Sequence, residues 1–121
     1  MSKEISYLEN LDIVLVKTSG IYKFVEEMET IENAIQKMRD CDCTRLLFDH
    51  REAEVIVSPA MAVQRTKQYD DVGFSRTMRI ACVAGEDNHD LEFFELASSN
   101  RGWQTKLFTQ YDAAINWLTK A

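Results

Sequence analysis

TRLLFDHREAEVIVSP, from Thr44 to Pro59, is the stretch on either side of which the other predicted strands and helices can be placed. Its first apolar run, Leu46 to Phe48, is typical of a buried central strand and ends in four polar residues, Asp49 to Glu52. A second apolar run, Val55 to Val57, leads into Ser58-Pro59. Serine followed by proline favours a helix start, because serine caps free N–H groups and proline fits the first turn. We therefore predict a buried strand, a polar crossing and a capped helix.

Upstream of this stretch, the pattern indicates a hairpin and then a helix. Ile5–Leu8 and Leu11–Lys17 are strand candidates, and Glu9-Asn10 between them suits a tight turn, which favours an antiparallel hairpin. We expect Thr18-Ser19-Gly20 to break the second strand. From about Tyr22 to Asp40, apolar residues recur at spacings of three and four, the period of an amphipathic helix. The stripe consists of Phe24, Met28, Ile31, Ala34, Ile35 and Met38.

Downstream, helices and strands alternate. Ala60 to Tyr69 continues the helix that Ser58 opens, and Thr77–Val83 is the next strand. His89–Asn100 has a helical apolar face, with Asp87 or Asn88 as its cap, and Trp103–Phe108 is the last strand. Thr109 to Asp112 resembles a capping box and opens a final helix that runs to Leu118.

The order ββαβαβαβα predicts an α/β fold. Strands that alternate with helices pair in parallel through right-handed crossovers, whereas the first hairpin adds one antiparallel edge. We expect a five-stranded mixed, mostly parallel sheet with flanking helices. At 121 residues, with 45% hydrophobic and 28% charged residues, the chain is predicted to form one domain over residues 1–121.

Charge and hydropathy exclude several classes of partner. Twenty acidic residues outnumber fourteen scattered basic ones, for a net charge of −6, so the chain lacks the clustered cations that a nucleic-acid binder needs. No apolar run approaches the roughly 18 residues of a membrane span, and the first residues lead into no signal-peptide core. We expect a cytoplasmic protein that has no membrane span and does not bind nucleic acid.

The three cysteines, Cys41, Cys43 and Cys82, are expected to be free thiols. An odd number of cysteines does not suit a disulfide framework in this compartment. The run Asp40 to Cys43 is a weak soft-metal motif, because a tetrahedral zinc site needs four ligands and Cys82 lies inside a strand pattern. We predict neither a metal site nor a cofactor.

The element order and several local phrases resemble the SpoIIAA-like superfamily, the fold of STAS domains. More narrowly, they resemble its small stand-alone bacterial members of unknown role. The phrases are Leu46-Leu47-Phe48-Asp49 ahead of Ser58-Pro59-Ala60, Arg79-Ile80-Ala81-Cys82-Val83, Phe93-Phe94-Glu95-Leu96-Ala97 ahead of Arg101-Gly102, and Lys106-Leu107-Phe108 ahead of Asp112-Ala113-Ala114-Ile115-Asn116-Trp117-Leu118. The resemblance covers nearly the whole chain and implies the SpoIIAA-like fold.

The resemblance also implies one phosphorylation site. In anti-anti-sigma members of the superfamily, an Asp-Ser-Ser-Gly turn at the start of a helix carries a phosphorylatable serine. This chain has Val57-Ser58-Pro59-Ala60 there, so only Ser58 carries over and the aspartate, second serine and glycine are absent. The alternative role of Ser58 is a plain helix cap.

Asp49, His50 and His89 form a possible binding edge, because ligands of open α/β sheets bind at the carboxyl ends of the strands. The position of Asp49 also invites comparison with the phosphoacceptor of receiver domains. That comparison fails, because the acidic pair and the lysine which receivers need are replaced by Thr18-Ser19 and Thr109-Gln110. A carboxylate held by local backbone groups or by Arg51 remains the simpler explanation of Asp49.

Three functions follow from these residues and from the resemblance. The favoured hypothesis is a non-enzymatic binding or regulatory module that acts through a protein partner or through self-association, including a homodimer. The alternative is a carrier of a small apolar or lipid-like ligand. Phe93 and Tyr22 would help to form an apolar patch, either for self-association or for such a ligand. A small enzyme is the least favoured, because no set of catalytic residues stands out.

Overall fold

The strands and helices follow one another along the chain in the order predicted from the sequence. The computed structural model describes residues 1–86 and 88–120. Its strands and helices are β1 Ser2–Leu8, β2 Ile13–Lys23, α1 Met28–Asp40, β3 Arg45–Ile56, α2 Pro59–Val72, β4 Arg79–Val83, α3 His89–Asn100, β5 Gln104–Phe108 and α4 Tyr111–Thr119. A short 3-10 turn, Phe24–Glu26, precedes α1. The order ββαβαβαβα is confirmed.

The five strands lie side by side in sequence order, β1-β2-β3-β4-β5. β1 pairs with β2 antiparallel, and all the other pairs are parallel, which confirms the mixed, mostly parallel sheet. Because successive side chains of a strand point to opposite faces, the sheet buries two separate cores. Helices α1, α2 and α3 cover the larger core, and α4 alone covers the smaller one.

The predicted strand break and the polar crossing were both wrong. Thr18-Ser19-Gly20 lies inside β2, and Asp49–Glu52 lies inside β3, so both strands run on well past their apolar segments. The pairing steps from Lys17↔Asp49 to Ser19↔Glu52, which leaves one extra residue on β3. This is a β-bulge. Polar residues are tolerated there because Thr18, Asp49 and His50 form hydrogen bonds within the fold, as described below.

Two helix starts also differ from the sequence predictions. Tyr22 is a buried residue of β2, which ends at Lys23, so α1 begins at Met28 and not near Tyr22. The predicted capping box at Thr109 is wrong, because the N-cap of α4 is Gln110 and its side chain makes no capping hydrogen bond. Asn88 caps α3 by accepting a hydrogen bond from the Leu91 amide, at 3.1 Å. The alternative cap, Asp87, lies outside the described residues.

Helix α2 has strong signals at both ends. Ser58 accepts a hydrogen bond from the Met61 amide, at 3.1 Å, and Pro59 occupies the first helical position, as predicted. At the other end, Gly73 has a φ of +95°, the left-handed conformation that favours glycine at a helix end. Arg39 reaches the same end and donates to the Val72 carbonyl, at 2.9 Å. Within the described part of the chain, no helix is long and apolar enough to cross a membrane.

We expect Gly73→Ala to destabilise the protein by about 1–2 kcal/mol, because an alanine methyl group is strained at positive φ. The added Cβ would also overlap the guanidinium of Arg39. Gly85→Ala is the matched control, since its Cβ would meet no atom within 4 Å. Urea unfolding followed by circular dichroism measures both variants. Equal stability of the two variants would contradict the structural role of Gly73.

Candidate functional site

Asp49 lies where the pairing of β3 with β4 ends, on the face that α4 covers. Its side chain is 3% exposed. Arg51 donates two hydrogen bonds to it, from Nε to Oδ1 at 2.9 Å and from Nη2 to Oδ2 at 2.8 Å. The Arg51 guanidinium in turn lies 4.6 Å from the ring centroid of Tyr111. Burial alone would raise the pKa of Asp49, but the hydrogen bonds and charge of Arg51 outweigh it and hold the pKa below its ordinary value. Asp49 is thus a paired carboxylate.

His50 points to the opposite face of the sheet. It is 2% exposed, lies parallel to the Phe48 ring at 5.6 Å and contacts the Tyr22 ring at 4.7 Å. Its Nδ1 shares a hydrogen bond with Thr18 Oγ1 over 2.7 Å. Burial lowers the pKa of His50 to about 4, so the imidazole is neutral at pH 7. His50 therefore acts as a hydrogen-bonded core residue.

His89 lies at the first position of α3, and its side chain is 86% exposed. Its Nδ1 is 3.1 Å from Glu92 Oε2. Asp49, His50 and His89 consequently have three separate sets of neighbours and do not converge. In residues 1–86 and 88–120, no group of three or more histidine, cysteine, aspartate or glutamate side chains could hold a metal ion.

Arg65 is a buried cation that the sequence interpretation missed. It is 1% exposed and donates through Nη2 to the Phe24 carbonyl and through Nε to Gln68 Oε1, at 3.1 Å. Its guanidinium lies 4.6 Å from the Phe24 ring centroid, and none of the described carboxylates forms an ion pair with it. The helical spacing of Ala62, Arg65 and Tyr69 was the available signal, because it places the arginine on the buried stripe.

A small space lined by buried residues lies beside this arginine. Its volume is about 10 Å³, close to what one water molecule needs. The polar residues around it are Tyr22, His50, Arg65, Tyr69 and Cys82. Burial raises the pKa of Tyr22 to about 12 and that of Cys82 to about 12, so both groups are neutral at pH 7. The space is too small for an apolar ligand of any size.

A much larger, open cleft lies at the carboxyl end of the sheet. One wall is Ala53-Glu54-Val55 of β3, and the other is the turn after β4 with the first residues of α3. The residues of that second wall are Gly85, Glu86, Asn88, His89 and Asp90. The cleft has a volume of about 700 Å³. His89 lines it, whereas neither Asp49 nor His50 does.

The comparisons with known proteins concern the fold. No family model and no curated protein matches the chain. Among solved structures, the chain is similar to an anti-sigma factor antagonist from Mycobacterium paratuberculosis, with a TM-score of 0.61 and 17% identity over 97% of this chain and 92% of that one. It is also similar to an uncharacterised DUF3478-family protein with a SpoIIAA-like fold from Shewanella loihica, with a TM-score of 0.52 and 18% identity over the same shares. The fold is SpoIIAA-like.

Within this SpoIIAA-like fold, Ser58 is exposed at the N-terminus of α2. Its hydroxyl oxygen accepts the Met61 N–H, and its hydroxyl hydrogen remains free for solvent or for modification. A phosphate at this position would lie against the positive end of the helix dipole, which favours added negative charge. The local geometry thus permits both roles predicted for Ser58, the helix cap and the phosphoacceptor.

The predicted apolar patch has different members from those expected. Tyr22 is 1% exposed and belongs to the core, so it contributes nothing to the surface. Phe93 is 39% exposed and lies with Val63 and Leu96 in a shallow groove between α2 and α3. Phe94 and Trp103, by contrast, are buried.

The three cysteines are free thiols, as predicted. Cys43 is buried although it lies in a connecting segment, and its Sγ is 3.3 Å from the Asp12 carbonyl oxygen. Burial raises the pKa of Cys43, so the thiol form dominates at neutral pH. Such a thiol is a poor nucleophile.

Proposed function

We propose that this chain is a regulatory module that binds a protein partner, and that Ser58 controls the binding. The observation that carries the proposal is the exposed Ser58 hydroxyl at the start of α2 in a SpoIIAA-like fold. A structural neighbour with this fold is named an anti-sigma factor antagonist, which is a regulatory role performed on another protein. Added negative charge at Ser58 would alter the potential of the surrounding surface without unfolding the helix.

The surroundings of Asp49 and His50 support a non-enzymatic role. The Asp49 carboxylate is already paired with Arg51, and the neutral His50 imidazole is buried between Phe48 and Tyr22. A general acid or base has to reach the atom whose proton it moves. The Asp49 carboxylate is instead hydrogen-bonded to Arg51, and the His50 imidazole to Thr18.

The test of this proposal is the recovery and reconstitution of a complex. The tagged chain is captured from an extract of its own cells, the bound proteins are quantified, and any stoichiometric candidate is purified and titrated against the chain. We expect one defined protein to bind directly at a fixed molar ratio. If no purified candidate binds directly, the module hypothesis is wrong.

Native mass spectrometry separates this proposal from the apolar carrier. The core space of about 10 Å³ does not accommodate a lipid-like molecule, and the groove between α2 and α3, which Val63, Phe93 and Leu96 line, is open to solvent. We therefore expect the purified protein to have the mass of the chain alone. A reproducible small-molecule adduct that survives gentle desolvation would favour the carrier instead. A Phe93→Ser variant that loses the adduct would then place the ligand in the α2–α3 groove.

We expect Ser58→Ala to lower the free energy of unfolding by about 1 kcal/mol, because the Met61 amide loses its capping acceptor. Ser58→Asp is the matched variant, since an aspartate side chain can accept the same hydrogen bond and adds a favourable charge at the helix N-terminus. Urea unfolding should place Ser58→Asp close to the wild type. Equal losses for both variants would mean that the cap contributes little.

A further inference from the structure

β3 has an unpaired edge beyond the end of its neighbour. β4 stops at Val83, which lies opposite Asp49, whereas β3 continues to Ile56. Over residues 52–56, one edge of β3 pairs with Ser19–Lys23 of β2. On the other edge, no strand of the described chain pairs with these residues. An unpaired strand edge presents N–H and C=O groups that can bond to another extended chain.

The open cleft occupies the place that an added strand would take. Beyond Val83 the chain leaves the line of β4, and the Ala84 amide donates to the Phe108 carbonyl of β5, at 3.0 Å. The cleft then separates Ala53-Glu54-Val55 from the start of α3 and has a volume of about 700 Å³. A neighbouring strand needs a spacing of about 4.8 Å from β3. An extended segment laid in the cleft would continue the line of β4.

The negative charge of the cleft indicates which side chains the added segment would carry. Glu54, Glu86 and Asp90 all line it and are exposed, and none of them has an ion-pair partner among the described residues. Ile21 and Ile56, which are 51% and 45% exposed, lie on the same sheet face as Glu54. A strand with lysine or arginine at alternate positions would place all of these side chains on this face, where their charged groups can approach Glu54 and their alkyl stems can cover Ile21 and Ile56.

A second copy of this chain does not match them. Pairing two β3 edges would bring Glu54 of one copy close to the same acidic strand of the other, and like charges placed across strands are destabilising. The net charge of −6 adds a general repulsion. Acidic residues on a free edge thus discourage self-pairing and favour a basic partner.

We propose that residues 52–56 of β3 accept, as an added strand, an extended segment of a partner protein that carries lysine or arginine side chains. This inference rests on the proposed function, because it assigns the binding mode of the protein partner. Backbone hydrogen bonds along the edge provide the binding, and Glu54, Glu86 and Asp90 provide the selectivity for basic side chains.

The experiment uses synthetic hexapeptides and the isotope-labelled full chain. The probe is capped Lys-Val-Lys-Val-Lys-Val, and the controls are Glu-Val-Glu-Val-Glu-Val and the lysine peptide with alternate backbone amides N-methylated. Amide hydrogen exchange measured by NMR reports on each residue. We expect the lysine peptide to slow the exchange of amides within residues 52–56 at least tenfold, and both control peptides to leave it unchanged.

Two charge reversals provide matched protein variants. Glu54→Lys should weaken binding of the lysine peptide roughly fivefold or more, since it replaces an attraction by a repulsion at short range. Glu32→Lys makes the same charge change on an exposed residue of α1 and should leave the affinity unchanged. The inference is overturned if residues 52–56 gain no protection, if the N-methylated peptide binds equally well, or if both variants weaken binding to the same extent.

These results are independent of the test for a protein partner. If a purified partner binds wild type and Glu54→Lys equally, the strand-addition site is wrong and the regulatory module stands. If the lysine peptide protects residues 52–56 but no purified protein binds, the strand-addition site stands and the module hypothesis fails.

Discussion

Acidification from pH 7 to pH 4 is expected to remove about 3 kcal/mol of stability through His50 alone. Its pKa falls from an ordinary 6.5 to about 4 in the native state, because burial disfavours the imidazolium. Each unit of pKa difference corresponds to about 1.4 kcal/mol. Between those two values the unfolded chain binds the proton and the native state does not, so falling pH favours unfolding.

The neighbours of His50 explain why its charged form is disfavoured. The ring lies between Phe48 and Tyr22, and its Nδ1 is hydrogen-bonded to Thr18. The negative charge of Asp49 acts in the opposite direction and raises the pKa, but the effect of burial is larger. The stabilising contribution is complete above about pH 6.5 and declines as the pH falls towards 4.

Urea unfolding from pH 4 to pH 7.5 tests this prediction by difference, because carboxylates also titrate at the lower end. His50→Gln removes the titrating group and should flatten the curve of unfolding free energy against pH. His89→Gln removes the exposed histidine, whose side chain is 86% accessible, and should leave the slope unchanged. A His50→Gln variant with the wild-type slope would contradict the buried neutral imidazole.

The second large effect concerns Trp103, and we expect Trp103→Ala to cost about 3–5 kcal/mol. The side chain is 3% exposed and packs edge-on against Tyr69, with ring centroids 5.7 Å apart. Its Nε1 donates to the Thr66 carbonyl at 2.9 Å, and the Arg76 guanidinium lies 3.6 Å from its ring centroid. The substitution would remove all three interactions and leave a large cavity beneath α2 and α3.

Trp117 is the matched control for this effect. It is only partly buried, on the face that α4 covers, where it packs against Phe108 with ring centroids 5.9 Å apart. Trp117→Ala should therefore cost less than half as much as Trp103→Ala. Chemical unfolding followed by far-ultraviolet circular dichroism avoids reliance on tryptophan fluorescence. Equal losses would contradict the assignment of the main core to the α1–α3 face.

Local sequence signals predicted the elements whose formation depends on local interactions. Ser58-Pro59 indicated the start of α2, because a cap and a first-turn proline act within a few residues of each other. The order of elements was predictable for the same reason, since each hydrophobic period spans one element. The antiparallel hairpin also followed from a short connection.

The continuation of β2 and β3 could not be predicted in the same way. Thr18 is polar and Gly20 is flexible, so the segment has the composition of a turn. Its extended conformation depends on pairing with residues more than thirty positions away, including the contact of Thr18 with His50. The unpaired edge at residues 52–56 follows from that continuation, so the strongest feature of the candidate site was not visible in the sequence.

Asp49 and His50 show a related limit of sequence patterns. Adjacent polar residues at the end of a strand suggested one binding edge, but successive residues of a strand point to opposite faces. Asp49 therefore contacts Arg51 on the α4 face, and His50 contacts Thr18 on the other. The sequence places such residues along the chain, whereas the pairing register decides which neighbours they have.

The affinity of the purified partner for three forms of the chain tests the central claim most directly. The forms are wild type, Ser58→Ala and Ser58→Glu, and isothermal titration measures the dissociation constants. A regulatory module controlled at Ser58 predicts that Ser58→Glu binds at least tenfold more weakly than wild type, while Ser58→Ala stays within about threefold, since only the former adds charge at the helix N-terminus. Equal affinities for all three forms would contradict control at Ser58.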